Sequence, residues 1–120
     1  MAGNKAIGEG GEKLAATYLE GKGYIIEHMN WKGLRFEIDI IARQGNKWIF
    51  VEVKTRTRFD FGWPERAVNK RKKNHIIKAA DHFIFTRNIE DELRFDIIAI
   101  VKRPKKTEIY HIEDAFAPGR

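Results

Sequence analysis

Apolar and polar residues follow two rhythms along this chain, one with the period of a helix and one with the period of a strand. Residues 8–21 carry the helical rhythm. Leu14, Ala15, Tyr18 and Leu19 form one stripe, and Gly21 and Gly23 end it. Glu12 lies on the flank of that stripe, in line with Ala15, Ala16 and Leu19, where a carboxylate can reach inward. Residues 24–31 read as a first strand. Residues 36–43 and 47–54, rich in Ile, Val, Phe and Trp, read as two more. Phe59-Asp60-Phe61-Gly62-Trp63 reads as a loop, and Pro64 suits the first turn of a helix running to about Phe85. On that helix Val68, Lys72, Ile76, Ala79, Ala80 and Phe83 share one face, with Lys72 the polar member of an apolar stripe. Residues 93–101 read as a fourth strand and Thr107 to Ile112 as a short fifth. The predicted order is α-β-β-β-α-β-β, an α/β fold with a mixed sheet flanked by helices.

The second and third strands read as a hairpin closed by Gly45-Asn46, with Gly first as a type II′ turn prefers. Pairing Gln44 with Lys47 sets Asp39 opposite Glu52 and Glu37 opposite Lys54. Directly opposed Cβ atoms lie about 4.5–5.5 Å apart, and like charges there destabilise a sheet. Asp39 against Glu52 is therefore costly unless a cation sits between them. The same register puts Ile41 against Phe50 on the acidic face, and pairs Ile38 with Val53 and Ile40 with Val51 on the other. Glu37, Asp39, Glu52 and Lys54 are thus expected on one face, at one end of a buried sheet. Glu37 reads as the partner of Lys54, and Lys72 as a cation extended towards that end.

The chain has 120 residues, enough for a single domain over 1–120 with its own core. A hydrophobic content of 42% with 33% charged residues suits a folded protein over a disordered one. No apolar run approaches the ~18 residues of a membrane span, and the first residues hold no apolar signal region. Cysteine is absent, which excludes disulfides and Cys-based zinc sites. His28, His75, His82 and His111 are scattered without an i, i+4 pair, which argues against a histidine metal site. The expectation is a cytoplasmic protein with no membrane partner.

The net charge of +6 is unevenly placed. Residues 54–78 hold nine Lys or Arg and two acids, a local excess of +7, and the rest of the chain sums to −1. A basic patch next to a carboxylate cluster points to a polyanion partner more than to a merely solvated helix face. Trp63, beside that patch, could stack a base. The second basic run, Lys102-Arg103-Pro104-Lys105-Lys106, reads as a solvated turn.

Asp39, a dozen residues, then Glu52-Val53-Lys54 on the next strand, with Glu12 on a preceding helix, resembles the PD-(D/E)xK nuclease superfamily. The resemblance is closer to one member, the YraN family, which is similar to Holliday-junction resolvases. It rests on Gly8-x-x-Gly11-Glu12-x-x-Ala15, Glu37-Ile38-Asp39-Ile40-Ile41, Phe50-Val51-Glu52-Val53-Lys54-Thr55-Arg56, Ala67-Val68, Lys72 and Arg94-Phe95-Asp96. Ile38 stands where the superfamily name has Pro, and Phe36 where the family usually has Gly.

The resemblance implies a restriction-endonuclease-like core and metal-dependent hydrolysis of a nucleic-acid phosphodiester, DNA foremost. Asp39 and Glu52 would bind Mg²⁺ or Mn²⁺ with the carbonyl of Val53, and Glu12 would complete the shell. Lys54 would orient the attacking water, and Lys72 would offset charge on the phosphate. Arg56, Arg58, Lys70, Arg71, Lys72 and Lys73 would hold the backbone. Resolvase-like relatives imply a homodimer. The alternative is a non-catalytic nucleic-acid-binding or recombination-accessory module on the same fold.

Overall fold

Five strands join into one sheet with a helix on each face in the computed structural model, which describes residues 4–57 and 68–118. The elements are α1 (Asn4–Gly21), β1 (Ile25–Gly33), β2 (Phe36–Gln44), β3 (Lys47–Arg56), α2 (Lys70–Thr86), β4 (Glu92–Lys102) and β5 (Thr107–Phe116). Spatial order follows sequence order, β1-β2-β3-β4-β5. Strands β3 and β4 are parallel, and every other neighbouring pair is antiparallel. A parallel pair cannot be closed by a tight turn, so the chain crosses over through α2 between them. This is the mixed α/β sheet and the α-β-β-β-α-β-β order expected from the sequence.

The core has two layers. On one face α1 sets Ala15 and Leu19 against Ile40, Val51, Ile98 and Ile100. On the other, α2 sets Ile76, Ala79, Ala80 and Phe83 against Ile41, Phe50 and Phe95. Phe83 is the centre of the second layer. Its ring stands 5.3 Å from that of Trp31, 5.4 Å from Trp48 and 6.0 Å from Phe50, the offset and edge-on contacts aromatic rings prefer. Gly45 closes the β2–β3 hairpin at φ 61°, and Asn46 stays out of the positive region, as a type II′ turn requires.

Helix α2 begins at Lys70, not at Pro64, which lies outside the described residues. Asn69 is its cap: the Asn69 side-chain oxygen accepts from the Lys72 amide at 2.9 Å. Val68 is buried just before the cap instead of on the helical stripe. This start places Lys70, Arg71, Lys72 and Lys73 all in the first turn, so the helix opens with four cations at its positive end. The macrodipole disfavours that arrangement by a few tenths of a kcal/mol per charge.

Helix α1 is fixed near its middle and near its end. At the eighth of its residues Gly11 lies against β3 and β4. A Cβ there would overlap Thr55 Oγ1 and stand 3.3 Å from Thr55 Cβ and 3.8 Å from Ile100. Near its end Tyr18 enters a buried polar network on β4 and β5. Tyr18 Oη lies 3.2 Å from His111 Nδ1, and His111 Nε2 lies 2.6 Å from Asp96 Oδ2. Asp96, fully buried, also accepts from Arg94 Nε and Nη2 and from the Asp114 amide. Burial alone would raise its pKa, but the bonds from His111, Arg94 and Asp114 prevail and hold it below the usual carboxylate range.

Replacing Gly11 with Ala is expected to push the middle of α1 off the sheet and cost about 1–3 kcal/mol. Adding Thr55→Ala should restore most of the loss. Urea unfolding of the single and double variants measures both effects. A single variant as stable as the parent would show that the close approach carries no constraint.

Candidate active site

Side chains along a regular strand alternate between faces, and in β1 and β2 that alternation fails at one shared point. Ile38 and Ile40 should lie on the same face. Instead Ile38 packs in the α2 layer with Ile41 and Phe50, and Ile40 packs in the α1 layer with Val51 and Val53. The residue between them is Asp39. Across on β1, Met29 pairs with Ile40 and Trp31 with Ile38, so Asn30 stands opposite Asp39. Asn30 takes φ 51°, the left-handed region that Asn tolerates better than most residues. Both strands therefore turn over together at Asn30 and Asp39. The expected Ile38–Val53 core pair does not form, because Ile38 lies in the other layer.

The inversion frees Asp39 from ordinary pairing. The β2–β3 register runs from Gln44↔Lys47 to Ile40↔Val51, as the sequence predicts, and stops there. Asp39 does not go on to a ladder position opposite Glu52, nor Glu37 to one opposite Lys54. Asp39 Oδ2 instead accepts the backbone N–H of Val53 at 2.8 Å. Glu37 pairs back with Lys32 on β1. A carboxylate has replaced the ladder carbonyl, and its charge now sits at the seam between the two helix layers.

Glu12 approaches this seam from α1, and Glu52 approaches it from β3. The Glu52 side chain is only 5% exposed. Its Oε2 has no hydrogen-bond partner; the Lys72 ammonium stands 3.8 Å away, an ion-pair distance too long for a hydrogen bond. Burial pushes the Glu52 carboxyl up to about 8. The charge of Asp39 and a hydrogen bond to it add to the rise, while Lys72 and Lys54 oppose it. Burial likewise raises Glu12 to about 7, with the charges of Asp39 and Glu37 adding and the neighbouring Asn30 amide opposing. A groove of about 270 Å³ opens beside the cluster, lined by Glu12, Lys13, Met29 and Asn30. Among the described residues, no three His, Asp or Glu side chains already surround a common point as a metal shell.

The structure thus brings Glu12, Asp39, Glu52, Lys54 and Lys72 to one end of the sheet, together with the backbone of Val53. Lys70 and Arg71 are exposed on the first turn of α2. Lys73 lies over the Phe116 ring, 5.8 Å from its centroid. Arg56, at the end of β3, donates from Nη1 to the Thr55 carbonyl. Arg58 and Trp63 lie outside the described residues. Phe36 stacks on His75 at 4.3 Å and so ties the β1–β2 hairpin to α2. Sequence reasoning missed Asn30, which read as one polar residue in a strand; its only signal was the tolerance of Asn for positive φ.

Comparison with known proteins identifies the family of the chain. Residues 11–100 match the model of the "Uncharacterised protein family UPF0102", the YraN family that the motifs resemble. The chain belongs to this family. A UPF0102 protein of Flavobacterium psychrophilum, FP2501, is 42% identical over 97% of this chain and 98% of its own length. Another, BF0634 of Bacteroides fragilis, is 41% identical over 98% of each. The crystal structure of SSO0001 aligns with 97% of this UPF0102 chain and 55% of its own, at 16% identity and a TM-score of 0.38. No described helix is long and apolar enough to cross a membrane.

The raised Glu52 fixes the sign of a pH dependence. An unfolded glutamate titrates near 4.5 and the folded Glu52 near 8. Between those values the folded chain keeps a proton that the unfolded chain has lost. The metal-free protein should therefore be most stable below about pH 4.5, as far as this group is concerned, and lose a few kcal/mol as pH rises through 8. Glu12, raised to about 7, acts in the same direction. Glu52→Gln keeps the shape without the charge, so it should flatten the slope and raise Tm at pH 8. Calorimetry across this range tests it, and a Glu52→Gln protein with the parent slope would exclude Glu52 as the source.

Proposed function

We propose that this chain is a metal-dependent nucleic-acid phosphodiester hydrolase with DNA as its main substrate class. The observation that carries this reading is the buried carboxylate oxygen of Glu52, without a hydrogen-bond partner, beside a second carboxylate at Asp39. A buried carboxylate set beside a half-buried one needs a cation or a proton. The carboxylate oxygens of Glu12, Asp39 and Glu52 suit a hard ion such as Mg²⁺ or Mn²⁺. Asp39, Glu52 and the Val53 carbonyl would hold the ion, with Glu12 bound directly or through water. The bound ion would lower the pKa of a water and screen the phosphate.

The remaining steps fall to the chain's own residues. Lys54 would orient the attacking water and share its proton. Lys72, held against Glu52 on the α2 side, would offset negative charge developing on the phosphate. Asn30, beside Glu12 in the groove, would help to keep it turned towards the seam. Lys70, Arg71 and Arg56 would position the backbone through its phosphates without reading bases.

A second reading, a non-catalytic nucleic-acid-binding or recombination-accessory module, draws on the absence of a formed three-ligand shell among the described residues. Metal separates the two. For a hydrolase, Mn²⁺ should raise Tm in the parent protein but not in Asp39→Ala, and affinity should rise between pH 6 and 8 as Glu12 and Glu52 lose their protons. Cleavage of plasmid or branched DNA in Mg²⁺ or Mn²⁺ should fall by about a hundredfold or more in Asp39→Ala and Lys54→Ala. Salt-sensitive DNA binding without turnover, and without a Mn²⁺ shift, would establish the accessory reading instead.

A further inference from the structure

The connector Lys102-Arg103-Pro104-Lys105-Lys106 does not sit apart from the candidate site. Because β3 and β4 are parallel, their C-terminal ends lie side by side, with Lys54 beside Ala99 and Arg56 beside Val101. The connector follows directly from there. Lys102 Nζ reaches back over α1, 3.5 Å from where a Cβ on Gly10 would stand, two residues before Glu12. Four cations occupy this five-residue turn. The turn is closed by the Arg103 amide donating to the Lys106 carbonyl. Glu108 faces Arg103 and Lys106, one acid among four cations, and Lys105 is exposed. The first turn of α2 carries its own four cations on the opposite face of the sheet, since α1 and α2 cover different layers.

We propose that the β4–β5 connector is a second phosphate-binding arm, so that a nucleic-acid backbone is gripped on both sides of the carboxylate cluster. The inference rests on the proposed nucleic-acid reading and deepens it. Cations on one side alone would suit a strand that ends at the site. Cations on both faces hold a backbone that continues past it, which makes an internal phosphodiester the bond presented to Asp39 and Glu52. Residues 102–106 also lie beyond the part of the chain matched by the family model.

The test is salt-dependent binding of a short DNA duplex by four full-length proteins in EDTA. These are the parent, a connector variant (Lys102→Gln, Lys105→Gln, Lys106→Gln), a helix variant (Lys70→Gln, Arg71→Gln, Lys73→Gln) and a control (Lys22→Gln, Lys47→Gln). The control residues lie at the far end of the sheet and of α1. Each lost phosphate contact should reduce the slope of log K against log salt by about 0.9. The connector and helix variants should each weaken binding by about tenfold or more near physiological salt, and the control should lose less per charge. Matching urea midpoints confirm that the variants are folded. A connector variant that binds like the parent while the helix variant weakens overturns the second arm and leaves the hydrolase reading in place. A control that loses as much per charge as the connector also overturns it. A parent protein that binds no duplex even at low salt removes both.

Discussion

Asp39 Oδ2 accepts the Val53 amide at 2.8 Å, and the site depends on this bond. It places a negative charge where a ladder carbonyl would normally stand, within reach of Glu52 on one side and Glu12 on the other. The repulsion is tolerated because the surrounding structure is over-determined. Strand β3 is buried on both faces, and its parallel partner β4 is buried along most of its length. Helix α2 is locked by Phe83, and α1 by Gly11 near its middle and, through Tyr18, by the Asp96 network near its end. A scaffold of this stiffness can hold carboxylates closer than they would settle in water.

Among the described residues, two strongly buried acids show opposite solutions to the same problem. Asp96 is enclosed and satisfied by Arg94, His111 and the Asp114 amide, so it stays ionised and ties β4 to β5 and, through His111 and Tyr18, to α1. Glu52 is enclosed with one oxygen unsatisfied and a like charge beside it, so its carboxyl is pushed towards the neutral form. A buried polar group with all its partners rigidifies a fold, whereas one left short is available for a ligand. The contrast within one sheet separates the structural acid from the candidate functional one.

The cationic residues divide in a related way. Lys72 is drawn inward to Glu52, while Lys70 and Arg71 on the same turn face solvent. The Asn69 cap sets that division by fixing where the helix begins, and hence which cation falls on the buried side.

The sequence alone determined the element order, the II′ turn and the β2–β3 register down to Ile40↔Val51, because alternation and turn chemistry are local. It also picked out Glu12, Asp39, Glu52, Lys54 and Lys72 as a group, since each breaks an apolar pattern or matches a family motif. It did not show that β1 and β2 invert together at Asn30 and Asp39. That depends on two strands agreeing across a sheet, and strict alternation wrongly put Ile38 with Val53. Nor did it show that the helix bearing Lys72 starts at Lys70, which follows from the Asn69 cap. Lys102 to Lys106 read as a solvated turn, beginning 24 residues after the main basic run of 54–78 ends. Only the parallel pairing of β3 with β4 brings the two basic segments to the same end of the sheet, since adjacency there is set by the crossover through α2 and not by distance along the chain.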